Sequence, residues 1–243
     1  MPKSLSARIF VALVIVLGFA VLGNAVLNAH SLITVRLIAL LVLASLAARL
    51  KVKLPGITGT MSVNLPFILL AAALMGPAEA LAVGFISTFA QCLPRGKQKL
   101  NLVQVIFNCC AITLAVAAAR MIFVSAYLGS VVASPALRLA IAAAGYFLVN
   151  TVAVSLVISL SEGADLVRTW VEMFQLSFAY LVAGAGAAGV ALTVGQEIGW
   201  QVPLALLPIM LGVFCSYRRF FTASKSAAAT AMQHSGAAAA AHV

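Results

Sequence analysis

The sequence predicts an all-α polytopic transmembrane helical bundle of about eight helices, a single domain over residues 1–222 with both termini cytoplasmic. Three observations predict it. First, 64% of the chain is hydrophobic and 8% charged, against roughly 25% charged in a soluble domain. So few charges cannot cover a water-facing surface, whereas lipid accepts apolar surface. Second, the apolar residues fall into eight runs, 9–29, 32–48, 60–75, 78–94, 102–127, 134–160, 170–194 and 198–217, and about 20 apolar residues cross the hydrocarbon core as a helix. Third, the basic residues cluster between alternate runs. Eight crossings from a cytoplasmic N-terminus put Lys3, Arg8, Arg49, Lys51, Lys53, Arg95, Lys97, Lys99, Arg168, Arg218, Arg219 and Lys225 inside, twelve of the fifteen Lys and Arg. Arg36, Arg120 and Arg138 fall toward the outside. That asymmetry is the positive-inside pattern. Six crossings, without the short runs 60–75 and 78–94, would keep the same alternation.

Each element has its own reason. Lys3 and Arg8 precede the run from Ile9 to Ala29, which is 21 residues long and broken mainly by Asn24. A signal-peptide core is roughly 7–15 residues, so this run reads as a retained first crossing. After the second run, Lys51 to Asn64 contains Pro55, Gly56 and Gly59, and Thr60, Ser62 and Asn64 alternate. Both features disfavour helix and predict an extended piece. Such backbone cannot face lipid, so it lies at the interface or lines a cavity inside the protein. A plain cytoplasmic loop is the simpler alternative.

The third and fourth runs are short enough to be tilted or partly re-entrant. Between them stands Gly76-Pro77, and Glu79 then begins the fourth run, where a carboxylate at a helix N-terminus is favourable. Arg168 and Glu172 open the seventh run at a spacing that permits an ion pair. The small residues Ala183 to Gly189, such as Ala185 and Gly189, let another helix come close. Residues 223–243 are rich in Ala and Ser without an apolar face, and are expected to form a disordered cytoplasmic tail with no folded output domain.

The net charge of +10 is accounted for by topology and anionic lipid heads, so no nucleic acid is expected as a partner. Cys92, Cys109, Cys110 and Cys215 lack C-x-x-C spacing, and His30, His234 and His242 lie far from them. No metal, cofactor or disulfide framework is expected. No mid-membrane histidine is available to a serine nucleophile, and neither H-E-x-x-H nor a phosphate-binding G-x-x-x-x-G-K-[ST] occurs. The chain is therefore read as no enzyme.

Polar groups within the apolar runs are the candidate ligand-binding residues: Asn64, Gln104, Asn108, Arg120 and Asn150. Buried amides need partners. Gln104 and Asn108 are four apart and share a helix face. Arg120 either snorkels to the outer surface or offers a fixed positive charge to a ligand. Interhelical hydrogen bonds explain the amides equally well.

The stretch Lys51–Ser87, with Leu54-Pro55-Gly56-Ile57-Thr58-Gly59-Thr60-Met61-Ser62 and Ala78-Glu79-Ala80-Leu81-Ala82-Val83-Gly84, resembles two kinds of bacterial membrane region. One is the multi-helix input region found before HD-type or GGDEF domains. The other is the S component of energy-coupling factor transporters. Leu207-Pro208-Ile209-Met210 through Ser216-Tyr217-Arg218-Arg219 resembles the last helix of such input regions. The chain differs from an S component in having more apolar runs. The resemblance implies a multi-pass inner-membrane module that senses a small molecule and signals to a cytoplasmic partner or as a homo-oligomer. Its alternative is a substrate-binding uptake subunit working with an ATPase complex. A purely structural membrane protein is the third reading.

Overall fold

A computed structural model describes residues 4–29, 34–53, 60–94, 100–198, 201–216 and 219. Residues 54–59, the basic residues Arg95, Lys97, Lys99, Arg218 and Lys225, the three histidines and the tail 223–243 lie outside the described residues. Among the described residues the chain folds into nine helices and one short β-ribbon: α1 (Leu5–Leu27), α2 (Val35–Ala48), β1 (Lys51–Lys53), β2 (Thr60–Ser62), α3 (Leu65–Leu74), α4 (Pro77–Cys92), α5 (Leu102–Phe123), α6 (Ala126–Val131), α7 (Pro135–Glu162), α8 (Leu166–Ile198) and α9 (Val202–Ser216). Four helices, α1, α5, α7 and Leu166–Gly195 of α8, are long and apolar enough to cross a membrane.

Local chemistry sets the helix ends. Ser4, Thr34, Asn101, Ser125 and Ser134 each cap a helix start by accepting a backbone N–H with the side chain, replacing one of the bonds a first turn lacks. The fifth apolar run does not continue to 127 as one helix. It ends at Phe123, and Ser125 caps the six-residue α6. Gly163, at φ +72°, closes α7 in a left-handed conformation that glycine adopts without a side-chain clash. Asp165 then accepts the Arg168 N–H at 2.7 Å at the start of α8, where Arg168 and Glu172 pair at 3.0 Å on the exposed surface.

The extended piece forms a ribbon. β1 and β2 pair antiparallel, with Lys51 opposite Ser62, Val52 opposite Met61 and Lys53 opposite Thr60. It leads into α3, whose residues Leu65 to Ala72 are all buried. α3 has 10 residues, so it rises about 15 Å, half of a hydrocarbon core. It packs on α2, α4, α5, α7 and α8. A helix apolar on every side belongs in an interior, and Phe67, Ile68, Leu69 and Leu70 sit at its centre. One large core joins α2, α3, α4, α5, α7, α8 and α9. α1 packs on its edge through Val21, Leu22 and Ala25 and forms a second cluster of Val11 and Val14 with Phe107, Cys110 and Ala111 of α5. Its Leu5, Ile9, Leu13 and Val16 remain exposed, a distribution suited to lipid.

The helix ends gather in two layers. In one layer Phe10 of α1 meets Phe107 of α5 at 6.2 Å, Ser4 Oγ donates to the Leu160 carbonyl at the end of α7 (2.6 Å), and Arg49 after α2 donates to Ala90 O and Leu93 O at the end of α4 (3.1 and 3.3 Å). The β-ribbon lies in this layer. In the other layer Thr34 meets Glu79 at 3.4 Å, Arg120 reaches the last turn of α3, and the Arg138 guanidinium sits 5.6 Å from the Phe123 ring.

Candidate functional site

The step from β2 into α3 places polar groups inside the bundle. Ser62 and Asn64 are both buried, at 6% exposure each. Ser62 ends β2, and Asn64, two residues on, is the helical-region cap residue of α3. From α4, Ser87 and Gln91 face them one helical turn apart. Ser62 Oγ lies 2.8 Å from Asn64 Oδ1 and 2.8 Å from the Gln91 amide. One hydroxyl proton cannot serve two acceptors. The consistent arrangement has Ser62 donating to Asn64 and accepting from Gln91 with its amide turned. Asn64 Nδ2 donates to Ser87 Oγ at 3.3 Å, and Ser87 Oγ to the Gly84 carbonyl at 3.3 Å.

The start of α3 is itself satisfied. The Leu65 N–H donates to the Tyr180 hydroxyl of α8 at 3.1 Å, Phe67 and Ile68 donate to Asn64 O, and Pro66 has no N–H to satisfy. The helix terminus therefore has no spare donors for an anion. A spare polar group lies on α4: Thr88, 3% exposed and turned roughly 100° around the helix from Ser87, has a buried Oγ1 without a hydrogen-bond partner among the described residues.

The five candidate residues do not form one cavity. Asn64 is the centre of the network. Asn108, half-buried on α5, reaches Cys92 Sγ at the end of α4 (3.7 Å). Gln104 is exposed in the first turn of α5, where Asn101 caps its backbone N–H at 3.4 Å. Arg120 stands 16 residues further along α5, about 24 Å away by helix rise, in the opposite layer. Half-buried, it donates from Nη1 to the Ala72 carbonyl at 2.9 Å, satisfying a last-turn carbonyl of α3. Asn150 is half-buried on α7. Its neighbour Thr151 accepts the Trp170 indole N–H at 3.2 Å.

Ser62, Ser87 and Gln91 are the network residues absent from the candidate set. Their signals are present in the sequence: Ser62 and Asn64 at strand spacing, Ser87 and Gln91 at helix spacing. In the opposite layer, Glu79 holds the α3–α4 turn by accepting the Gly76 N–H at 2.9 Å. It lines an open cleft with Asn24 and Asn28 of the α1 end. Among the described residues no group of three or more His, Cys, Asp and Glu side chains could hold a metal ion, and Cys92, Cys109, Cys110 and Cys215 are free thiols.

Comparison with protein-family models, curated proteins and solved structures finds no match.

Proposed function

We propose that the chain is a non-enzymatic inner-membrane module that binds a small molecule beside the start of α3 and signals the occupancy to a cytoplasmic partner. The observation that carries this reading is the buried hydroxyl of Thr88, without a partner among the described residues, next in sequence to Ser87 of the Ser62–Asn64–Ser87–Gln91 network. A buried polar group without a partner is costly, and a ligand group donating to or accepting from it would remove that cost. The network residues carry no formal charge. The proposed ligand is thus a neutral or weakly polar molecule held by amides and hydroxyls.

The same proposal gives the chain eight crossings, by α1, α2, β2 with α3, α4, α5, α7, α8 and α9, and two cytoplasmic termini. It is supported by the basic residues: Arg8, Arg49, Lys51, Lys53 and Arg168 belong to the layer that holds the ribbon, whereas Arg120 and Arg138 belong to the other. The network then lies toward the cytoplasm, where a partner could read it. The resemblance of Lys51–Ser87 to membrane input regions agrees with this reading.

A second reading, the substrate-binding subunit of an uptake transporter, is favoured by α3 itself. A half-length helix entered through extended backbone inside a bundle is the geometry from which transporters build substrate sites. Uptake that requires a separate ATPase would select this reading.

The test is mass spectrometry of small molecules that co-purify with the chain in mild detergent, for the parent, Thr88→Val and Asn64→Ala. The expected result is a molecule retained by the parent and lost from Thr88→Val, whose fold should be intact. Equal retention in both, or no co-purifying molecule under conditions that keep the parent folded, would reject the site.

A further inference from the structure

The opposite layer holds a second site of different chemistry. The ends of α1 and α4 enclose an open cleft of about 430 Å³, within the size range of small-ligand pockets. Its walls are Val21, Ala25, Pro77, Ala78 and Leu81, and its polar groups are Asn24, Asn28 and Glu79. Among the described residues Glu79 is the only charged group in the lining. Arg120 lies within electrostatic range of Glu79 but outside the cleft lining, with Nη1 committed to the Ala72 carbonyl, while Arg138 lies over Phe123 and Arg36 is exposed on α2.

A carboxylate accepts hydrogen bonds and donates none. Glu79 Oε2 takes the Gly76 N–H at 2.9 Å, and Oε1 takes only a long contact from Thr34 Oγ1 at 3.4 Å. Oε1 therefore has unused acceptor capacity next to the cleft. Asn28 Nδ2 donates to Asn24 Oδ1 at 3.2 Å and to Asn24 O at 2.7 Å. The Asn28 carbonyl oxygen is then a further acceptor at the rim. An apolar wall, the Asn24 and Asn28 amides and one negative charge select a ligand with an apolar body and a cationic, donor-bearing head.

We infer that the Glu79–Asn28 cleft is a binding site for small primary ammonium compounds, open to the side of the membrane opposite the β-ribbon. The site is independent of the network at the start of α3: Glu79 and Gln91 are 12 residues apart on α4, about 18 Å by helix rise.

The experiment is thermal melting of the full chain in mild detergent at pH 7, titrated with n-butylammonium chloride, n-butanol or sodium butyrate at constant ionic strength. The inference expects a saturable rise in melting temperature with butylammonium and none with the alcohol or the carboxylate. Glu79→Gln keeps an oxygen to accept the Gly76 N–H, so the turn should persist, while butylammonium affinity falls about 10-fold or more through loss of a charged acceptor. Ala25→Leu, which fills the cleft without touching Glu79, should weaken the response as well. Asn64→Ala should leave it unchanged, which separates this site from the proposed network site. No saturable shift in the parent, an equal shift with butanol or butyrate, or a full response in Glu79→Gln would each overturn the inference.

Discussion

At the scale of single residues, Ser87 and Thr88 are a natural comparison. They are adjacent hydroxyls on α4, both buried, but Ser87 accepts from Asn64 whereas Thr88 has no partner among the described residues. Ser87→Ala leaves the Asn64 amide unpaired and should lower stability by about 1–3 kcal/mol. Thr88→Val keeps the shape and removes an unpaired group, so ligand-free protein should be as stable or more so. Melting temperatures in one detergent check the pair, and equal losses would show that Thr88 is bonded in the membrane-embedded protein. Arg120 allows a second comparison. Its guanidinium holds the Ala72 carbonyl at 2.9 Å, so Arg120→Leu should destabilise the chain by about 1–3 kcal/mol. A residue that merely snorkelled to the surface would tolerate leucine with little change, and thermal melting separates the two outcomes.

At the scale of elements, two glycines mark close helix approaches of unequal stiffness. A Cβ on Gly18 of α1 would stand 2.5 Å from Cys110 Cβ and 2.8 Å from Cys110 Cα on α5. Backbone cannot swing aside. A Cβ on Gly145 of α7 would instead meet the Ile122 Cδ1 methyl, the far end of a side chain that can rotate away. Gly18→Ala should therefore cost about 1–3 kcal/mol by overpacking and loosen α1, while Gly145→Ala should be nearly neutral. Limited proteolysis in the residues after α1, together with melting, reads both effects. The close approaches on α8 fall at Gly184, beside Leu65, and Gly189, beside Ala136, whereas Gly186 faces open space. Small-residue spacing marks the helix as suited to close contact. Which of its glycines are used depends on the rotation of α8 against α3 and α7.

At the scale of the whole molecule, the alternation of helix ends makes a topology prediction. Reporter fusions after Lys53 and Arg168 should report cytoplasm, and fusions after Asn28, Gly76 and Ser130 should report the outside. Two reversed signals would reject the eight-crossing arrangement. The apolar runs and the helices correspond closely: α1, α2, α7 and α9 fall nearly where hydropathy places them, and the alternating Thr60, Ser62 and Asn64 prefigure β2. Membrane residence and helical architecture were legible because lipid offers the backbone no hydrogen bonds, so long apolar runs with few charges must satisfy their own backbone as helices. The sequence by itself determined that much. Tertiary structure alone decided that α3 is the buried centre instead of one more lipid-facing helix, and that Asn64 meets Ser87 and Gln91 while Arg120 serves the other end of α3. The physical reason is that lipid and a membrane-protein interior are almost equally apolar. Hydropathy therefore does not say which face of a helix turns inward, and the pairing of polar residues far apart in the chain follows only from the crossing and rotation of the packed helices.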